Sequence, residues 1–326
     1  MKQFLKDWTL IIAILSGVAG YFAYINIPAL DSTHHAVHEF VALIQPILIF
    51  VMLFLTFCRV NPRDIRLRSW HGCLLVVQCG LFIILGSILI GLPDIPARVE
   101  IEGAMICLIC PTATAGAVVT RKLGGNVEDI TTYIILINIA VAVVIPTMTP
   151  FVHPNSDMSV FRASMMILSK VFPLLLMPLA GALLIRRFAP RLHARFSRSA
   201  DVSFYLWAVA LTLAIAVTTH SIVNSSVALS TQLWLVVISL VCCLIQFWIG
   251  RHIGAGYDRK ITAGQSLGQK NTVLAIWMGY TFFSPVTAVA GGFYSIWHNV
   301  INSWQLYEHK KLEERHSDGS IAENAR

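Results

Sequence analysis

Ten stretches of mostly apolar residues, each about twenty residues long, alternate along the chain with short polar segments. An α-helix rises about 1.5 Å per residue, so about twenty apolar residues cross the roughly 30 Å hydrocarbon core of a bilayer. The pattern therefore predicts an all-α polytopic membrane protein with ten transmembrane helices. Their approximate ranges are 8–27, 38–57, 70–92, 99–120, 129–151, 162–185, 202–223, 232–250, 262–284 and 286–306.

Positive charge is distributed unevenly between the loops. Of the 24 Lys and Arg residues, 20 lie at the two termini or in the loops that follow even-numbered spans. The opposite loops hold only Arg98 and Arg162. Since basic loops stay in the cytoplasm, both termini are predicted to be cytoplasmic, in a bacterial-type inner membrane. The net charge of +7 is thus explained by topology, and we expect membrane lipid rather than nucleic acid as a partner.

The composition agrees with one membrane domain. The chain is 56% hydrophobic and 13% charged, whereas soluble domains carry about 25% charged residues. We assign residues 1–309 to a single transmembrane domain and residues 310–326 to a polar cytoplasmic tail. Ten spans divide into two sets of five, and an odd number per set predicts an inverted repeat, approximately 1–152 and 162–309.

Two of the ten spans are interrupted, and they occupy corresponding positions in the two halves. Span four contains Cys-Pro-Thr-Ala-Thr-Ala-Gly at 110–116, and span nine contains Gly-Gln-Ser-Leu-Gly-Gln-Lys-Asn at 264–271. A broken helix frees backbone groups that lipid cannot satisfy, and half-helix N-termini favour anions. Matched breaks therefore predict a binding site. Its candidate residues are Thr112, Thr114, Gln265, Ser266, Gln269, Lys270 and Asn271.

Each break also has a simpler interpretation. Pro111 can introduce an ordinary kink, and the second polar stretch can be a loop before a helix that begins at Asn271. Lys270 argues against that loop, because a lysine near the centre of a bilayer costs about 2.5–3.5 kcal/mol on insertion scales. The pair Cys107 and Cys110 is interpreted as two packing residues, since zinc-type spacing with histidine is missing from the sequence.

Four stretches of the sequence resemble a known family. They are Ile47–Thr56, Pro111–Thr120 with the following Gly125-Asn126, Leu267–Ala275, and Tyr294–Asn299, which reads Tyr-Ser-Ile-Trp-His-Asn. They are similar to segments of the bile acid:sodium symporter superfamily. The resemblance implies ten helices, an inverted five-helix repeat, and broken helices four and nine that cross.

The resemblance also shows what has been replaced. The family's second crossing helix supplies a Glu and, four residues later, a Gln as sodium ligands, where this chain has Ser266 and Lys270. A Ser-Asn pair of the first crossing helix is replaced by Gly116-Ala117. A third-span Gln ligand is retained as Gln78. Because a hard cation needs several oxygen ligands, no metal site is predicted, and sodium is not expected to bind as in the relatives.

A charge comparison leads to a hypothesis for Lys270. One carboxylate and two sodium ions give the family site a net charge of +1, and Ser266 with Lys270 gives the same charge. Lys270 is therefore hypothesised to act as a tethered substitute for sodium. The proton affinity of lysine is sensitive to burial, so the coupling ion can be a proton, and sodium or proton coupling remains open.

Further polar residues fall within predicted spans. Lys170 is expected either to line the substrate cavity or to be neutralised by Glu100 or Glu102. Asn138 corresponds, with Ile134 one turn away, to the family's fifth-span ligands and is expected to cap broken backbone. His298 and Asn299 are candidates for positioning or ligation in the last span.

These features predict a secondary active transporter of a small organic anion, acting as a monomer without a cofactor. The sequence contains no catalytic triad, no phosphate-binding loop and no metal cluster at helical spacing, so an enzyme is not expected. One alternative is a cation/proton antiporter of similar fold, which would need a carboxylate at the crossing. The other is a membrane sensor or binding protein that does not transport.

Overall fold

The computed structural model describes residues 2–28, 33–154, 158–198, 200–225 and 227–324. Within these ranges it contains thirteen α-helices and no β-strand. The helices are α1 (Lys2–Ile25), α2 (His34–Phe57), α3 (Ser69–Gly91), α4 (Arg98–Ile109), α5 (Ala115–Lys122), α6 (Val127–Val152), α7 (Val160–Phe188), α8 (Pro190–Ser197), α9 (Ala200–Val223), α10 (Leu229–Ala255), α11 (Lys260–Gly268), α12 (Thr272–Phe282) and α13 (Ala288–Asn324).

Six of the described helices are long and apolar enough to cross a membrane, namely α2, α3, α6, α7, α9 and α10. Two shorter apolar segments lie in α1 and α12. This composition is that of a polytopic membrane protein. Many large apolar side chains on these helices are exposed, such as Val76 at 74% and Phe161 at 73%. Such exposure is costly in water and fits a surface covered by lipid.

The two predicted breaks are present. The fourth apolar stretch forms α4 and α5, and the ninth forms α11 and α12. The second break is shorter than the polar sequence suggested, because residues 264–268 continue α11 and only residues 269–271 leave the helix. The packing of α11 against α10 explains this: Gly250 and Gly254 let the two backbones approach closely.

One element, a short helix, was not predicted. The basic segment after α7 forms the short helix α8 rather than a plain loop. At the end of the chain, α13 continues to Asn324, so the backbone of the predicted polar tail is helical over most of its length.

The helices pack in a pattern that surrounds the breaks. Helix α3 packs against α4 and α6, and α10 packs against α11 and α13. Helix α4 also contacts α10 and α13, and helix α11 also contacts α3 and α6. Helices α1, α2, α7 and α9 pack largely against one another, with α7 also against α6. The two breaks are thereby enclosed by protein.

Candidate functional site

The two helix breaks meet and pair through their backbones. Thr112 and Lys270 form an isolated antiparallel bridge. The amide of Asn271 donates to the carbonyl of Pro111 at 2.9 Å, and the amide of Ala113 donates to the carbonyl of Gln269 at 3.3 Å. Unpaired backbone groups are not tolerated in a lipid environment, so each break satisfies part of the hydrogen-bonding need of the other.

The side chains of the two bridge residues make equivalent contacts. Thr112 Oγ1 donates to the carbonyl of Ser266 at 2.5 Å, and Ser266 precedes Lys270 by four residues. Lys270 Nζ donates to the carbonyl of Leu108 at 3.1 Å, and Leu108 precedes Thr112 by four residues. Each side chain therefore caps the carboxyl end of the other broken helix, where the last carbonyls have no helical partner.

Lys270 is buried in this crossing, with 1% of its surface exposed. Among the described residues, no carboxylate lies within 4 Å of its ammonium group. The groups within electrostatic range include the thiols of Cys79, Cys107, Cys110, Cys242 and Cys243. Its favourable interaction is with the carboxyl end of α4, which carries the negative end of the helix dipole. A single lysine side chain is thus held inside the protein without an acidic partner among the described residues.

Two Gln–Tyr pairs support the carboxyl ends of the broken helices. Gln78 Nε2 donates to the carbonyls of Ile109 and Cys110 at 3.1 and 2.9 Å, and Tyr133 donates to Gln78 Oε1 at 2.9 Å. This places the predicted residue Gln78 at the first break.

At the second break the tyrosine itself caps the helix. Tyr294 donates to the carbonyl of Gly268 at 2.9 Å, and its hydroxyl accepts from Gln246 Nε2 at 3.1 Å. Tyr133, Gln246 and Tyr294 were not named as site residues from the sequence. A signal was present, because Tyr133–Asn138 and Tyr294–Asn299 both read Tyr-x-Ile-x-x-Asn.

The other four predicted residues around the second break differ in the groups that their side chains contact. Asn271 is the N-cap of α12, where its side chain accepts from the amide of Leu274 at 3.3 Å. The side chain of Gln269 packs beside Gly116. Ser266 is fully buried, and its hydroxyl has no hydrogen-bond partner among the described residues. Gln265 points elsewhere, since its amide donates to Asn302 and Gln305 of α13 at 3.2 and 2.9 Å.

Asn138 does not cap the broken backbone. Its Nδ2 donates to the carbonyl of Ile134 within α6 at 2.7 Å, and within the described ranges its buried Oδ1 has no hydrogen-bond partner. Asn299 does the same in α13, donating to Ser295 at 2.6 Å. His298 is 6% exposed and lies edge-on to Tyr294 with ring centres 5.8 Å apart. In the part of the chain that the structure describes, its Nδ1 has no hydrogen-bond partner. These three residues belong to α6 and α13, beside the crossing, and are not part of the Thr112–Lys270 bridge.

Lys170 is not part of this assembly. It lies on the exposed surface of α7, a helix that packs mainly against α2 and α6. Glu102 does not neutralise it, because that carboxylate contacts Arg98 at 3.1 Å and His153 at 3.2 Å. Hydropathy located Lys170 along its helix but could not indicate which face of the helix it occupies.

A cavity of about 530 Å³ leads from the basic loops to the first break. Its lining includes Thr114, the N-cap of α5, whose side chain makes no capping bond. The charged residues of its wall are Arg59, Asp64, Arg121 and Glu128, and the walls are formed by the end of α2, by α5 and by the start of α6. Of the candidate residues from the sequence, Thr114 and Ile134 line this cavity, whereas the bridge residues Thr112 and Lys270 do not.

Comparison with protein-family models found no match, and comparison with curated proteins found no significant match either.

Proposed function

We propose that this chain is a secondary active transporter of a small organic anion, with ten spans in an inverted repeat and both termini in the cytoplasm of a bacterial inner membrane. It is proposed to be a divergent relative of the bile acid:sodium symporters. The observation that carries the proposal is the crossing of two broken helices around the buried side chain of Lys270, which has no carboxylate within 4 Å among the described residues. Intramembrane charges of this kind mark substrate or ion pathways.

The contacts support the repeat. Thr112 and Lys270 make the same contact in opposite directions, as expected for residues related by a two-fold axis in the membrane plane. The Tyr-x-Ile-x-x-Asn sequence occurs in α6 and again in α13, and in both copies the Asn amide donates to the carbonyl four residues earlier. The packing of α3 with α4 and α6 likewise matches that of α10 with α11 and α13.

The environment of Lys270 supports the hypothesis of a tethered cation. In the resembling family, bound sodium ions supply positive charge to the crossing. Here the ammonium of Lys270 lies against the carboxyl end of α4, where a cation is favoured. The acidic residue that an antiporter would need is not within 4 Å of Lys270 among the described residues.

We expect uptake to be independent of sodium. Because Lys270 supplies the charge of the missing ions, protein reconstituted in liposomes should accumulate its substrate equally in sodium and in choline buffers. A panel of labelled carboxylates, sulfonates and bile acids would be tested with an imposed pH gradient and with an imposed sodium gradient. A strict requirement for sodium would contradict the role of Lys270. Binding of a substrate without its uptake under any gradient would favour the alternative function, a membrane sensor or binding protein that does not transport.

The cavity supports an anionic substrate and gives a second prediction. Arg121 lines the cavity, whereas the neighbouring Lys122 does not. Replacing Arg121 with Gln should raise the KM for the anion about fivefold, equivalent to roughly 1 kcal/mol for one exposed charge. The Lys122→Gln variant removes the same charge from the same helix end and should leave KM unchanged. Equal KM values for the two variants would show that the cavity does not bind the anion.

A further inference from the structure

A second, smaller cavity lies on the same basic face of the protein, away from the crossing. Its volume is about 300 Å³, and it is lined by Leu67, Arg68, Ser69, Trp70, Tyr257 and Arg259. These residues come from two places, the start of α3 and the turn between α10 and α11. The cavity therefore lies where two apolar helices reach the surface of the membrane.

Two arginines of this cavity share one carboxylate. Asp129 is 2% exposed, and its two oxygens accept from Arg68 Nε at 3.4 Å and from Arg259 Nε at 2.8 Å. No other carboxylate lies within 4 Å of either arginine among the described residues. The two arginines and the one carboxylate that they share carry a net charge of +1. One positive charge is left for a further anion.

The donors of both guanidinium groups are only partly used. Asp129 takes the Nε of each arginine, and Arg259 Nη1 donates to the carbonyl of Asp258 at 2.9 Å. In the described part of the chain, no acceptor bonds to Nη1 or Nη2 of Arg68 or to Nη2 of Arg259. Planar guanidinium groups with free amino donors suit the oxygen atoms of a phosphate. Ser69 and Trp70 add the free amides of the first turn of α3.

The rim of the cavity indicates where such a phosphate comes from. Leu67 is 74% exposed and Tyr257 is 46% exposed, and both border the cavity. An exposed leucine and tyrosine among basic residues are typical of the membrane interface, and basic pockets on the cytoplasmic side of membrane proteins bind anionic headgroups. We propose that this cavity, the Arg68–Arg259 pocket, binds the headgroup of an anionic phospholipid.

The test compares lipids that differ only in headgroup charge. Purified full-length protein in detergent would be titrated with phosphatidylglycerol and with phosphatidylcholine of identical acyl chains, and bound lipid counted by native mass spectrometry. Wild type should prefer phosphatidylglycerol at least about fivefold, the factor that one basic residue contributes near an anionic surface. The Arg68→Gln/Arg259→Gln variant should lose this preference. Arg66→Gln, an exposed arginine outside the pocket, should keep it.

Two further measurements keep the result decisive. Asp129→Asn removes the competing carboxylate, so the preference for phosphatidylglycerol should be retained or increased; its loss would show that the arginine variants act through damaged structure and would overturn the proposal. Inorganic phosphate forms the third arm of the titration. If phosphate abolishes the preference at millimolar concentration, the pocket binds a soluble anion and the lipid assignment is wrong.

Discussion

Replacing Lys270 with glutamine is expected to reduce transport at least 30-fold while leaving the protein folded. Glutamine retains a donor for the carbonyl of Leu108, which Lys270 contacts at 3.1 Å, but it carries no charge. Truncating a buried, hydrogen-bonded charge typically costs about 2 kcal/mol or more, which corresponds to about 30-fold. Initial rates of uptake into liposomes, normalised to the amount of folded protein, would measure the loss.

Stability should change in the opposite direction. Burying a lysine without a carboxylate is costly, and the carboxyl end of α4 offsets only part of that cost. The Lys270→Gln protein should therefore unfold at the same temperature as wild type or at one a few degrees higher. Lys260→Gln is the matched control, since Lys260 begins α11, the helix that leads into the break, and is exposed. Retained transport in Lys270→Gln, or a lowered unfolding temperature, would show that Lys270 serves packing alone.

The sequence predicted the helices of this protein better than their contacts. Runs of apolar residues located α2, α3, α6, α7, α9 and α10, because a membrane requires long stretches without charge. Pro111 and the glycine-rich polar stretch located the two breaks. The pairing of Thr112 with Lys270 was not predictable, since it depends on two helices that cross in space and are distant in the chain.

Individual polar residues were harder to place, for two physical reasons. Hydropathy gives the depth of a residue but not its face, so Lys170 was considered for a cavity although it lies on the exposed surface of α7. Polar composition also does not end a helix by itself. Gln265 and Ser266 were assigned to the break, yet they remain in α11 because close packing against α10 keeps that segment helical.

Some useful signals were present in the sequence and were not used. The repeated Tyr-x-Ile-x-x-Asn pattern places Tyr133 and Tyr294 at matched positions, and both belong to the Gln–Tyr pairs beside the breaks. Gly250 and Gly254 form a Gly-x-x-x-Gly spacing that often brings membrane helices into close contact. Both patterns concern contacts between segments that are distant in the chain, so they can be interpreted only when the segment that packs against them is known.

Replacing Gly250 with alanine is expected to destabilise the protein by about 1–3 kcal/mol, the usual cost of inserting a methyl group where no space exists. A Cβ at this position would lie 2.5 Å from the carbonyl oxygen of Ala263 and 3.0 Å from the Cα of Gly264. Both contacts are with backbone, which cannot rotate away as a side chain can. Helix α11 would have to move away from α10, and a lowered unfolding temperature in detergent would report it.

Gly80→Ala provides the matched control for this effect. Gly80 lies inside α3, another long apolar helix, and a Cβ there meets nothing within 4 Å. Alanine favours a helix over glycine by about 1 kcal/mol, so Gly80→Ala should be neutral or stabilising. If both variants shift the unfolding temperature equally, α10 and α11 do not pack as closely at Gly250 as the structure indicates. Because α11 ends one residue before the break that holds Lys270, its displacement in Gly250→Ala should also reduce transport, whereas Gly80→Ala should not.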